Sequence, residues 1–176
     1  DGNAQCVETL GVAVRANEVS MGVLPCGEAS VRLLIWSEEL TRLDVPRAGT
    51  YDVVCSADCL FFEMYHKALV HTLDVLLSDQ GKAIIWAPLR GGSLERFCAL
   101  AGDKFEIDKQ ERYSDAVWEA HQRALKAEGG QYDADIHYPL LLTLTRKRKK
   151  IVAPPTWASN HGGGCKCCKG KRMPMW

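Results

Sequence analysis

A chain of 176 residues with 47% apolar and 25% charged side chains is long enough to bury one core, and its composition excludes a fibre, a coiled coil and a disordered acidic protein. The 22 Lys/Arg balance the 22 Asp/Glu, but nine of the basic residues and none of the acidic ones lie from Arg146 onward, so a body of −9 precedes a tail of +9. That asymmetry speaks of partners rather than of fold.

No apolar run approaches the roughly 20 residues that span a bilayer, and no signal-peptide pattern opens the chain. The expectation is therefore a soluble intracellular protein with no membrane contact. The eight cysteines show no paired framework; Cys55, Cys59 and Cys98 sit in apolar patterns as small hydrophobes, which favours a reducing compartment.

In chain order, Asn3 is a plausible N-cap for a helix over Ala4 to Val14, with Cys6 or Val7, Leu10 and Val14 on one stripe. Gly22, Pro25 and Gly27 mark a loop, and Val31 to Trp36 is an apolar run of strand length. A Trp at the C-terminal end of a strand either packs or lies flat against a ring-shaped ligand. Val53 to Cys55 reads as a buried strand that stops at Asp58, with Phe61 three residues on. In an open parallel sheet ligands sit at that edge; taken alone, the same spacing equally describes a loop acid and a core Phe.

The apolar positions Phe62, Tyr65, Leu69, Leu73 and Leu76 recur at helical spacing, with most of the aromatics expected in the core and Gly81 as the helix stop. Lys82 to Pro88 is the next strand, Arg90-Gly91-Gly92 a flexible loop, and Ser93 a cap for a short helix through Ala101 that Gly102 closes. Lys104 to Ile107 alternates like a strand, a helix starts at Ser114 or Asp115 and runs past His121 and Leu125, and His137 to Thr145 is a strongly apolar strand. Alternation of this kind indicates an α/β domain with a mostly parallel sheet.

From Arg146 the composition changes. Pro154-Pro155, Gly162 to Gly164 and scattered Lys/Arg offer little to bury, so residues 148–176 are expected to be a disordered basic Cys/Gly-rich tail. The run Arg146 to Lys150 suits an import signal or a polyanion patch, nucleic acid being a weak alternative to a solvated strand end. His161, Cys165, Cys167 and Cys168 do not have the spacing of ordinary zinc knuckles, and no metal is expected.

Taken together, Asp1-Gly2-Asn3, Leu33 to Trp36, Ser56 to Phe61, Trp86 to Gly91, Leu94 to Phe97 and His137 to Leu142 resemble the C-terminal half of the calmodulin-lysine N-methyltransferases, collinearly from residue 1 to about residue 147. These belong to the seven-stranded, S-adenosylmethionine-dependent protein methyltransferases. The resemblance implies a Rossmann-like α/β methyltransferase fold with strand order 3-2-1-4-5-7-6. It also implies S-adenosyl-L-methionine as cofactor, and calmodulin as protein substrate of a monomer in cytoplasm and nucleus.

By the same resemblance Asp1 holds the cofactor ribose, Trp36 lies along the adenine and Ala57 is the small residue beneath the cofactor. Asp58 and Phe61 form the catalytic mouth where the target lysine meets the methyl donor. Asp58 orients either the amine or the cofactor's amino group, and Phe61 supplies an aromatic wall for cationic intermediates. The first strand, its glycine-rich turn and nearly all of the second would precede Asp1, so residues 1–147 are expected to be an N-terminally truncated domain that by itself binds the cofactor poorly or not at all. Two other functions fit the same residues: methylation of a lysine in another protein, and a non-catalytic interaction module.

Overall fold

A computed structural model describes residues 2–20, 29–127 and 130–147. Helix α1 (Ala4–Ser20) opens where expected, because the Asn3 side-chain oxygen accepts from the backbone N–H of Gln5 (2.9 Å) and Cys6 (3.3 Å). The remaining elements are β1 (Tyr51–Ala57), a 3-10 turn over Glu63–Tyr65, α2 (His66–Leu76), β2 (Leu77–Ala87), α3 (Ser93–Ala101), β3 (Phe105–Gln110), α4 (Asp115–Lys126), α5 (Ala134–His137) and β4 (Leu140–Arg146).

The four strands form one sheet in the order β1-β2-β4-β3, which matches the 4-5-7-6 part of the order implied by resemblance. β1 pairs with β2 in parallel, but β4 runs antiparallel to both β2 and β3. The sheet is therefore mixed rather than mostly parallel, since β4 enters between its neighbours from the opposite end.

Alternation along the strands builds the core. Ile85 faces Leu142 and Ala83 faces Leu144 across β2 and β4, and Ile107 of β3 lies opposite Leu144. These side chains pack with Leu69, Leu73, Leu94 and Phe97 of α2 and α3. Burying Phe97 completely contributes on the order of 2 kcal/mol relative to leaving it in water.

Several further sequence expectations need correction. Val31 to Trp36 is not a strand: the run pairs with no strand among the described residues, and Leu33 and Ile35 are exposed, because extended backbone becomes a strand only through a partner. β1 is not buried, because it is the sheet's edge; Val53 is 46% exposed and Cys55 is open to solvent.

Phe62 and Tyr65 also belong outside the core, being exposed in and before the 3-10 turn. Gly81 does not stop a helix. α2 ends at Leu76, and Gly81 lies inside β2 where the β1–β2 register shifts, with the Tyr51 carbonyl so near that an added Cβ would stand 2.5 Å from it. Ser93 is the first residue of α3 and not its cap; Gly92, at φ 82°, holds the cap position.

The basic run begins differently as well. Arg146 is the last residue of β4, and its half-buried guanidinium donates to the Asp74 carboxylate and to the carbonyls of Asp74, Leu77 (3.0 Å) and Ser78 (3.3 Å). It joins the sheet to the end of α2, so it is not available to a polyanion patch. Arg148 to Lys150 and the His161 to Cys168 set lie outside the described residues.

Candidate active site

The parallel pair β1–β2 sets the site. Ala57 is in register with Trp86, and the Asp58 N–H donates to the Trp86 carbonyl at 2.8 Å, extending the ladder by one residue. There the chain turns out of the sheet: Asp58 has φ 48°, a left-handed conformation that Asp accepts more readily than most side chains. The turn leaves the Asp58 carboxylate exposed at the C-terminal edge.

The next residues are pinned from below. Leu60 is buried, and its carbonyl accepts from His66 Nε2 (2.9 Å) and from the Ser93 hydroxyl. Donation to a carbonyl places a hydrogen on His66 Nε2. The imidazole is itself buried edge-on against Phe97, 5.5 Å between centroids. Cys59 Sγ donates to Ser56 Oγ at 3.3 Å; burial pushes its thiol upward from the ordinary value, the Ser56 hydrogen bond opposes that, and the Asp58 charge adds a smaller upward push. Phe61 then stands 45% exposed beside Asp58, its ring 4.1 Å from that of Phe62.

Arg90 joins the two residues singled out from sequence. Its Nη2 donates to Asp58 Oδ2 at 2.9 Å, and its guanidinium carbon lies 5.6 Å from the Phe61 ring centroid. Asp58 and Phe61 therefore face one cation. Arg90 comes from the loop after β2, the neighbouring strand edge, and that loop is built rather than loose. Arg90, Gly91 and Gly92 have φ of 44°, 61° and 82°. The Arg90 N–H donates to the Asp135 carbonyl (2.8 Å), and the Gly91 N–H donates to the Asp135 carboxylate (2.7 Å). Arg96 Nη2 donates to the Gly91 carbonyl at 3.0 Å and also pairs with Glu63; this hydrogen bond holds the Glu63 carboxyl below its usual range.

Sequence reasoning singles out Asp58 and Phe61; Arg90, His66, Ser93 and Asp135, which the structure brings to the same strand edge, have no such motif to mark them in the sequence. The available signal for Arg90 was its position: a cationic side chain just past the end of the second parallel strand, next to the edge where β1 ends.

Of the residues assigned to the cofactor, Ala57 is exposed at the tip of β1, directly before Asp58. Trp36 is half-buried and packs against the core. Gly2 lies beside the Leu34–Ile35 backbone, so the start of α1 adjoins the segment that carries Trp36. Asp1 itself lies outside the described residues. Ala57 and Asp58 present a small side chain and an acceptor at an open strand edge, which suits one flank of a bound nucleoside cofactor.

An α/β sheet in the order β1-β2-β4-β3, with an acid and a ring just past the C-terminal end of β1 beside its parallel neighbour, is consistent with the Rossmann-like methyltransferase class. Comparison with known proteins is more specific. The lysine methyltransferase family model matches residues 4–100, and the chain belongs to that family. It is 30% identical over 155 residues to the calmodulin-lysine N-methyltransferase of Arabidopsis thaliana, a match covering 84% of this chain and 48% of the relative. The chain thus spans about half the length of the curated relative it matches.

Proposed function

We propose that this chain carries the target-amine side of a protein-lysine methyltransferase site, with Asp58 and Phe61 receiving the lysine, S-adenosylmethionine as the methyl donor and calmodulin as the substrate protein. One observation carries the reading: the acid and the ring already bind a cation, Arg90, from the same side. The family match and the named relative support the reaction class and the choice of substrate.

The chemistry asks little acid-base machinery of the protein. Methyl transfer to an amine is an in-line displacement governed by alignment, and the nucleophile must be the neutral amine of a group whose ordinary pKa is about 10.4. When bound, the cofactor supplies the activated methyl group, with Ala57 leaving room beneath it and Trp36 and Asp1 as the further residues that would hold it. Asp58 orients the amine through an exposed carboxylate whose backbone is fixed by the Trp86 carbonyl and the pinned Leu60. The Phe61 face attracts the charged mono- and dimethyl products and so favours further rounds. Phe62, Met64 and Tyr65 expose an apolar rim beside the site, which fits a protein surface better than a free amino acid.

The test is mass spectrometry of calmodulin incubated with S-adenosylmethionine and this chain completed to the length of its relative. A mass gain on a lysine is expected, with Asp58→Asn slowing it about a hundredfold through lost alignment while the fold stays intact. No gain on any calmodulin lysine rejects that substrate. No gain by the completed enzyme across a panel of other proteins rejects methyl transfer at this site.

A further inference from the structure

We propose that Arg90 is a built-in competitor for the target-amine site: its guanidinium occupies the position between Asp58 and Phe61 that a substrate lysine must take, and the incoming cation displaces it. The proposal rests on the reading of Asp58 and Phe61 as that site and adds a residue that sets affinity for the substrate's side chain.

The geometry makes Arg90 a stand-in for an alkylammonium. Hydrogen bonding to the carboxylate at 2.9 Å and a position 5.6 Å from the ring centroid are the two contacts a lysine ammonium would make with the same pair. The Arg90 guanidinium already takes the Asp58 Oδ2 and the place over the Phe61 ring that the ammonium would take, so the two cations compete for one position, and their repulsion adds to the competition.

Arg90 is also bound as an occupant that can leave. Arg146 shows what a permanent guanidinium contact looks like in this protein, with hydrogen bonds to one carboxylate and three carbonyls. Among the described residues the Arg90 guanidinium has only the Nη2 hydrogen bond to Asp58, and its buried Nε has no partner. Its side chain is 34% exposed and that of Asp58 53%, so water screens the pair and the attachment is weak.

The backbone beneath, by contrast, is held. Asp135 takes the N–H groups of both Arg90 and Gly91, and Arg96 takes the Gly91 carbonyl. Release therefore means rotation of the Arg90 side chain, already 34% exposed, over a fixed turn. The left-handed backbone at Arg90 is strained for a residue with a Cβ, yet it is what aims the side chain at Asp58.

The experiment is a titration of the full chain, labelled with 13C in its phenylalanine rings, with an N-acetyl trimethyl-lysine amide, a permanent cation that needs no methyl donor. The shift of the Phe61 ring signal, assigned with Phe61→Leu, reports binding. Arg90→Ala is expected to bind the probe about five- to tenfold more tightly than the unsubstituted chain, the combined weight of an exposed ion pair and a cation–ring contact. Arg90→Lys, which restores a resident cation, is expected to stay within about twofold of the unsubstituted chain. Arg90→Gly removes the same guanidinium on a residue suited to the left-handed turn and gives the Ala result without backbone strain.

Equal or weaker binding by both Arg90→Ala and Arg90→Gly, or no Phe61 shift in any chain, overturns the proposal. Failure of methyl transfer to every protein tested would remove the proposed function and leave this titration readable. Equal affinities would remove the competitor and leave the Asp58→Asn rate comparison standing.

Discussion

Replacing Arg146 separates a structural guanidinium from a tail residue. Its side chain is 21% exposed and donates to four acceptors: the Asp74 carboxylate and the carbonyls of Asp74, Leu77 and Ser78. Asp74 and Leu77 lie at the end of α2, where carbonyls lack helical partners. A net hydrogen bond to a charged group contributes about 1.5–3 kcal/mol, less where water can take over, and Asp74 keeps its ion pair with Lys104 at 2.9 Å. Arg146→Ala is therefore expected to lose about 2–3 kcal/mol of stability. Arg146→Lys should lose about 1 kcal/mol, since an ammonium cannot reach acceptors spread around a planar fork. Urea denaturation reads this as a lower midpoint at unchanged slope. A loss under about 0.5 kcal/mol, the usual result at an exposed position, would refute the placement of Arg146.

The same contact has a pH signature. Burial pushes the Asp74 carboxyl upward, but the hydrogen bond from Lys104 and the charge of Arg146 outweigh it and leave the group below its ordinary value. A carboxyl lowered in the folded state stabilises fully above its unfolded pKa of about 3.9 and loses that contribution as pH falls through the folded value. The gap between the unsubstituted chain and Arg146→Ala should accordingly narrow in acid and stay constant near neutrality.

Two further outcomes follow from the site's supports. Gly81→Ala places a Cβ 2.5 Å from the Tyr51 carbonyl, a backbone atom that cannot step aside cheaply, so a loss of about 1–3 kcal/mol is expected in thermal or urea unfolding; a neutral result would refute the close approach of β1 and β2. Alkylation at mildly alkaline pH, followed by tandem mass spectrometry, should modify exposed Cys55 well before Cys59, whose thiol burial holds up in pKa; equal rates would contradict the pinned Asp58–Phe61 turn.

Much of the fold was legible because strands and helices here advertise themselves through period. α2, α3 and β4 carry apolar repeats strong enough to be placed within a few residues. What failed depended on neighbours. Val31 to Trp36 has strand composition but no pairing partner among the described residues, and β1 has a buried strand's residues on an exposed edge. Gly81 and Ser93 were assigned helix-end roles from local preference, whereas a nearby carbonyl decides each: Tyr51 crowds Gly81, and Leu60 draws the Ser93 hydroxyl inward.

Sequence by itself placed an acid and a ring just past the end of an apolar run, because an interrupted run and a three-residue spacing are local properties, while the class of the molecule rests on the resemblance of six motifs taken together. Only the tertiary structure decided that a cation from the adjacent loop rests on both, 32 residues further along from Asp58. It also decided that the first residue of the basic run fastens the sheet to a helix. Contacts between residues so far apart in the chain depend on how the strands order themselves, and no local pattern encodes that.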